Sequence, residues 1–208
     1  MNFYRTPRIL PILYPQLMWR IPTEEKVIYL TFDDGPVPGP TEFVLDTLEK
    51  NQSLATFFCI GDNVLKNPSV FRKITEKHHA IGNHTFNHLK GWKYSTKEYV
   101  ENTTKCAEVI GKENSLFRPP YGRIKRSQIR ALSNQIIVMW DVLTHDYLAS
   151  LSEEKCLKGS IAATRPGSIV VFHDSYKAEK NMTYALPRYI DHFSNLGFVF
   201  RSLPTHGA

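Results

Sequence analysis

Two groups of side chains stand out by type and spacing. His84 and His88 lie four residues apart in His84-Thr85-Phe86-Asn87-His88, and Asp33 and Asp34 are adjacent in Thr31-Phe32-Asp33-Asp34-Gly35-Pro36. Two imidazoles at that distance can share one metal ion where the backbone turns between them. A carboxylate is a natural third ligand, and Asp34 is the candidate because it closes an apolar run ahead of a turn. A two-histidine, one-carboxylate set leaves positions open for water and substrate, as a catalytic metal requires. Each half has an ordinary alternative. A chain with eight histidines produces a four-residue spacing readily by chance, and Asp-Gly is common turn chemistry.

Such groups act together only if separate elements carry them to one place. Short β-branched and aromatic runs predict strands near 27–32, 55–60, 80–83, 116–118, 136–140, 168–172 and 198–200. Between them, helical periodicity covers 41–50, 68–77, 95–110, 152–163 and 182–193. Ser95-x-x-Glu98 opens the third helix as a capping box, and Ser152 caps the fourth ahead of Glu153 and Glu154. Alternating strands and helices predict an α/β fold with a parallel sheet; periodicity alone leaves an open doubly wound sheet and a closed barrel as alternatives. Ionisable residues recur just after the strands: Asp33 and Asp34, His84 and His88, Arg118, Asp141 and Asp146, then His173. In parallel folds the strand C-terminal ends share one face, so five ends would aim these groups together.

The stretches TFDDGP, HTFNH, RPPYG (Arg118 to Gly122) and VFHDS (Val171 to Ser175) occur in an order and spacing that resembles the polysaccharide deacetylase family, the NodB-homology domain of carbohydrate esterase family 4. The resemblance runs from about residue 26 to about 200. It implies a distorted (β/α) barrel, commonly of seven parallel strands, in a domain spanning 26–208. The implied metal ligands are Asp34, His84 and His88. By the same resemblance Asp33 is the catalytic base and Arg118 holds it, the Tyr121 backbone N–H is an oxyanion donor, and His173 is the general acid oriented by Asp146. Pro120, Tyr147 and Val171 are the expected substrate contacts, with Val171 standing where the family has leucine in the acetyl-methyl pocket. The chain departs from the pattern in places. Tyr147 follows Asp146 where tryptophan is usual, and Leu143 stands where many relatives carry aspartate. Asp141 is therefore a second candidate to orient His173. His78 occupies a position usually held by glycine, and histidine tolerates positive φ better than most residues. His78, His79, His145, His192 and His206 are read as structural or exposed.

The implied reaction is metal-dependent hydrolysis of an N-acetyl group, or alternatively an O-acetyl group, on a carbohydrate. A divalent ion activates water and polarises the carbonyl, and a protonated histidine supplies the poor amine leaving group with a proton. Zinc is the default ion for this donor set, with cobalt, nickel and manganese as substitutes. Two other readings compete: an amidohydrolase for a non-sugar amide, and a catalytically inactive glycan-binding domain. The second conflicts with the joint presence of base, acid, arginine and ligands.

The bulk properties are compatible with these readings. The 208 residues suit one domain, with 42% hydrophobic and 22% charged residues. A net charge of +6 could attract an acidic glycan or an anionic membrane face, or simply be solvated. Basic residues are dispersed with no nucleic-acid signature, so no nucleic acid is expected as a partner. Cys59, Cys106 and Cys156 are too few and too widely spaced for a disulfide framework. Residues 9–19 (ILPILYPQLMW) follow two arginines and superficially resemble a signal peptide. Pro11 and Pro15 interrupt the run, no small-x-small site follows, and it is too short to span a bilayer. Residues 1–25 are therefore expected to pack on the domain, which makes a cytoplasmic location the default and membrane-surface association the alternative.

Overall fold

Val27–Asp33 is apolar on both faces, and in the computed structural model every residue of it except Tyr29 is buried. A strand of that kind must be covered on both sides, and it lies in the interior of the sheet. The structure describes residues 4–111 and 115–205, so His206 lies outside the described residues. In chain order the elements are α1 (Ile9–Leu13), β1 (Val27–Asp33), α2 (Pro40–Lys50), β2 (Thr56–Cys59), α3 (Gly61–Lys66), α4 (Pro68–Glu76), β3 (Ala80–Asn83) and α5 (Thr96–Ile110). There follow β4 (Leu116–Phe117), α6 (Arg126–Ala131), β5 (Ile136–Ile137), β6 (Val142–Leu143), α7 (Glu153–Ala163), β7 (Ile169–His173), α8 (Glu179–Asn195) and β8 (Val199–Phe200).

The sheet order is β5-β4-β3-β2-β1-β7-β6, parallel at every step, and β8 pairs in parallel with the start of β1. These seven parallel strands and their helices are the expected distorted (β/α) barrel. Its core is aromatic around β1: Phe32 stacks on Phe57 at 5.1 Å and on Phe172 at 6.1 Å. The stripe Met182, Ala185, Leu186, Tyr189, Ile190 and Phe193 of α8 is wholly buried. Each such large side chain contributes about 1.5–3 kcal/mol by leaving water.

Two expectations about elements are revised. The run 136–140 is not one strand: β5 ends at Ile137, and a separate two-residue strand, β6, follows at Val142. The reason is competition for backbone groups. The carbonyls of Val138 and Met139 accept from the Arg118 guanidinium, and Met139 N–H donates to Met18 O at 2.7 Å. Residues 4–20 enter this seam. Met18 bridges Val138, Arg20 bridges Ser168, and Leu143 N–H donates to Tyr4 O at 2.8 Å. The short helices α1, α3 and α6 carry no signal in the sequence pattern, since five or six residues are too few to show a period.

Several smaller expectations hold. His78 sits at φ 60° in the turn before β3, and the buried His79 accepts from Ala55 N–H at 3.3 Å. Cys59, Cys106 and Cys156 are buried free thiols. No helix among the described residues is long and apolar enough to cross a membrane.

Candidate active site

β1 ends at Asp33, and the next residue, Asp34, turns the chain at φ 83°. β3 ends at Asn83, and the loop after it brings His84 and His88 back to Asp34. Thr85 and His88 both adopt positive φ, at 62° and 55°. Side chains meet the cost of that turn. Asn83 Oδ1 accepts from Thr85 N–H, Thr85 Oγ1 accepts from Leu89 N–H, and Asn102 of α5 accepts from Phe86 and Asn87 N–H. One ligand atom each from Asp34, His84 and His88 then lies within 4.8 Å of the others. Asp34 Oδ1 is 3.2 Å from His88 Nε2 and 3.7 Å from His84 Nε2.

The donor set fits a divalent metal. His84 Nδ1 is 2.8 Å from Arg118 O, a carbonyl that can only accept, so Nδ1 carries the proton and Nε2 keeps its lone pair. Burial pushes the His84 imidazole down to about 4, against the opposing charge of Asp33, which keeps the ring neutral and able to ligate. Burial alone would raise Asp34, but the hydrogen bond from His88 and the positive charge of His173 outweigh it. They hold the carboxylate well below its usual range.

Beside this cluster Asp33 is buried, and its Oδ1 accepts from Arg118 Nη1 at 2.7 Å. Arg118 has no exposed surface. The same Nη1 donates to Thr31 Oγ1, Nη2 donates to Met139 O at 2.9 Å, and the guanidinium lies 4.1 Å from the Phe58 ring centroid. The aspartate is thus held by a guanidinium that is itself fixed from several sides.

β7 pairs with β1 so that His173 is level with Asp33. Neighbouring strands are about 4.8 Å apart, so the register places the two side chains on one face at one height. Asp146 grips His173 twice, accepting its backbone N–H at 2.7 Å and lying 2.7 Å from Nδ1. Asn181 Nδ2 donates to Asp146 O, which secures the loop. Burial lowers the His173 imidazole, but Asp146, by charge and hydrogen bond, reverses this and raises it to about 9. Asp141 does not share this task. It takes a two-pronged contact from Arg165 at 3.0 and 3.1 Å and one from Ser168 Oγ at 2.7 Å, away from His173. Of the two aspartates, Asp146 is the one on that ring.

These groups face a cavity of about 410 Å³ lined by Asp33, Asp34, His84, His88, Tyr121, Trp140, Leu143, Tyr147, Val171, His173 and Lys177. Tyr121 stands at φ 61°, its ring 4.6 Å from that of His88. Tyr147 meets His173 edge-on at 4.9 Å. Val171 reaches the cavity from β7. Pro120 is buried and is not among the lining residues, unlike the other expected substrate contacts.

Residues 20–138 match the polysaccharide deacetylase family. A peptidoglycan-N-acetylglucosamine deacetylase of Bacillus cereus is 33% identical over 88% of each chain. The chain belongs to the polysaccharide deacetylase family. A chitooligosaccharide deacetylase of Azorhizobium caulinodans is 38% identical over 74% of this chain and 77% of its own. The crystal structure of a peptidoglycan N-acetylglucosamine deacetylase bound to 4-naphthalen-1-yl-N-oxidanyl-benzamide superposes with a TM-score of 0.88. It is 30% identical and covers 96% of this chain and 95% of that one.

This family member also carries site residues that spacing did not reveal. Trp140, Leu143 and Lys177 line the cavity, and Asp174 lies behind it. Asp174 accepts from Gly35 N–H at 2.9 Å and from Thr41 Oγ1 at 2.7 Å, tying the turn after Asp34 to α2. Burial pushes its carboxyl up to about 8, against those two hydrogen bonds. A side chain on Gly35 would meet Asp174 at 1.9 Å, so only glycine fits there. The available signal was adjacency: Asp174 follows His173 directly, but strand alternation turns it from the cavity.

Proposed function

We propose that the protein is a metal-dependent deacetylase that hydrolyses the N-acetyl group of an N-acetylhexosamine glycan. The observation that carries this is the convergence, on one cavity, of the Asp34–His84–His88 cluster, the Asp33–Arg118 pair and the His173–Asp146 pair. The names of the relatives support a sugar amide over a non-sugar one.

Asp34, His84 and His88 would hold a divalent cation, zinc by default, whose Lewis acidity activates water and polarises the acetamide carbonyl. Asp33 accepts the proton of the attacking water, and the Arg118 contact holds its carboxylate in place. As the carbonyl oxygen gains charge, the Tyr121 N–H donates to it; Tyr121 lines the cavity with its backbone left-handed. His173, charged through Asp146, delivers a proton from Nε2 to the departing sugar nitrogen. Tyr147, Val171 and Leu143 enclose the acetyl methyl.

The test is acetate release from an N-acetylglucosamine oligomer by the purified protein, assayed after chelation and again after zinc is restored. Release that is lost and regained supports the proposal. No release with zinc, cobalt, nickel or manganese on any N-acetylated glycan overturns it.

A further inference from the structure

The chain has a second surface that the catalytic site does not use. α1 exposes its apolar side chains: Ile9 is 54%, Ile12 71% and Leu13 54% accessible, and no residue of this helix is buried. Large aliphatic groups rarely stand together in water without a partner. Behind them Leu10 and Tyr14 pack on a core cluster to which Ile129 of α6 and the adjacent Leu132 also belong. Pro7, Pro11 and Pro15 stiffen the turn, so little conformational freedom remains to be lost when it docks.

The two chain segments that carry α1 and α6 hold one sign of charge. Residues 4–23 and 115–140 contain no aspartate or glutamate, yet they carry Arg8, Arg126 and Arg130, all exposed. None of these three has a carboxylate partner among the described residues, and Arg126 lies over the Tyr14 ring at 5.8 Å, which brings it beside α1. Elsewhere surface cations such as Lys66, Lys73 and Lys77 are paired with carboxylates. Glu98, whose charge reaches Lys125, is held in the α5 capping box.

We propose that α1 and the adjoining arginines of α6 form a docking surface for an anionic phospholipid membrane, with Ile9, Ile12 and Leu13 entering the interface and Arg8, Arg126 and Arg130 meeting lipid phosphates. The side chains project outward from a single turn, which suits a deformable apolar layer. A negative surface directly above that layer matches the arginines, whose guanidinium groups bind phosphate in two-pronged fashion. The inference is independent of the proposed reaction.

The experiment is co-sedimentation of the protein with vesicles of phosphatidylcholine alone and of phosphatidylcholine mixed with phosphatidylglycerol. The protein is expected to partition onto the mixed vesicles only, and high salt should release it. I12S/L13S and R126Q/R130Q should each weaken partitioning, the arginine pair by roughly five-fold per charge removed. Both variants should keep the wild-type circular dichroism spectrum and melting temperature within a few degrees, which separates lost docking from lost folding. Wild-type protein that stays in the supernatant with mixed vesicles overturns the proposal. So does equal sedimentation of wild type and I12S/L13S. A concentration-dependent dimer abolished by I12S/L13S, with no vesicle binding, assigns the face to a second copy and overturns it as well.

Discussion

Arg118→Met tests the assembly of the site most directly. The guanidinium is fully buried and reaches Asp33, Thr31 and the carbonyls of Val138 and Met139, with Phe58 beneath it. Methionine keeps most of the stem volume but removes the charge and every donor. Asp33 becomes a buried carboxylate without its counter-charge, a loss of about 3–5 kcal/mol for pairs broken from one side. The Met139 carbonyl, and more weakly the Val138 carbonyl at 3.4 Å, lose a donor, at about 1–3 kcal/mol for each group left unsatisfied. Local relaxation and water entry recover part of this, so the expected destabilisation is on the order of 5 kcal/mol. With a urea slope of about 2–3 kcal/mol/M, the unfolding midpoint should fall by roughly 2 M. Catalysis should fail too, because the Asp33 carboxylate loses the guanidinium that holds it in place. R118M/D33N separates the two effects. It removes the stranded charge, so it should recover a substantial part of the lost stability while remaining inactive. Urea unfolding followed by circular dichroism, with acetate release in parallel, reads both. If R118M unfolds within about 1 kcal/mol of wild type, the buried pair is not what this reasoning takes it to be. A double variant no more stable than the single one would refute the stranded-charge argument itself.

Three further outcomes are expected. His88→Ala should lower zinc content, measured by atomic absorption, together with activity; full zinc retention counts against the ligand set. In metal-free protein the His173 ring should titrate near 9 by NMR, and Asp146→Asn should move it down, because Asp146 is the charge that raises it. The sign follows for stability: a raised histidine pKa contributes fully below about 6.5 and is lost as pH climbs through about 9, so the wild-type advantage over Asp146→Asn should shrink between those values. Tyr147→Trp should narrow the cavity beside His173 and lower the propionyl-to-acetyl ratio of kcat/KM; one methylene is worth about 1–3 kcal/mol of such discrimination, and an unchanged ratio removes Tyr147 from the methyl pocket.

Local chemistry in the sequence was enough to mark the reactive groups. Asp34, His84 and His88 do converge, Arg118 does hold Asp33, and Asp146 does hold His173. As a set they were legible because each ends or follows a strand and parallel strands deliver their C-terminal ends to one face; the pairing of Arg118 with Asp33 and of Asp146 with His173 was implied by the family resemblance. Long helices such as α5 and α8 were legible because a capping box and a repeated apolar stripe are written within a few turns. Residue spacing could not choose between Asp141 and Asp146, because both follow β5 by a few residues. The choice lies in partners far along the chain: Arg165 and Ser168 take Asp141, and His173 takes Asp146. The broken strand at 138–141 has the same origin, since its carbonyls serve Arg118 and its seam is filled by residues 4–20. Trp140, Leu143, Lys177 and Asp174 owe their places to the curling of the sheet, a long-range event with no local period. Local pattern determined which residues could react; tertiary packing decided which carboxylate meets which cation, because an ion pair depends on distance in space and is indifferent to distance along the chain.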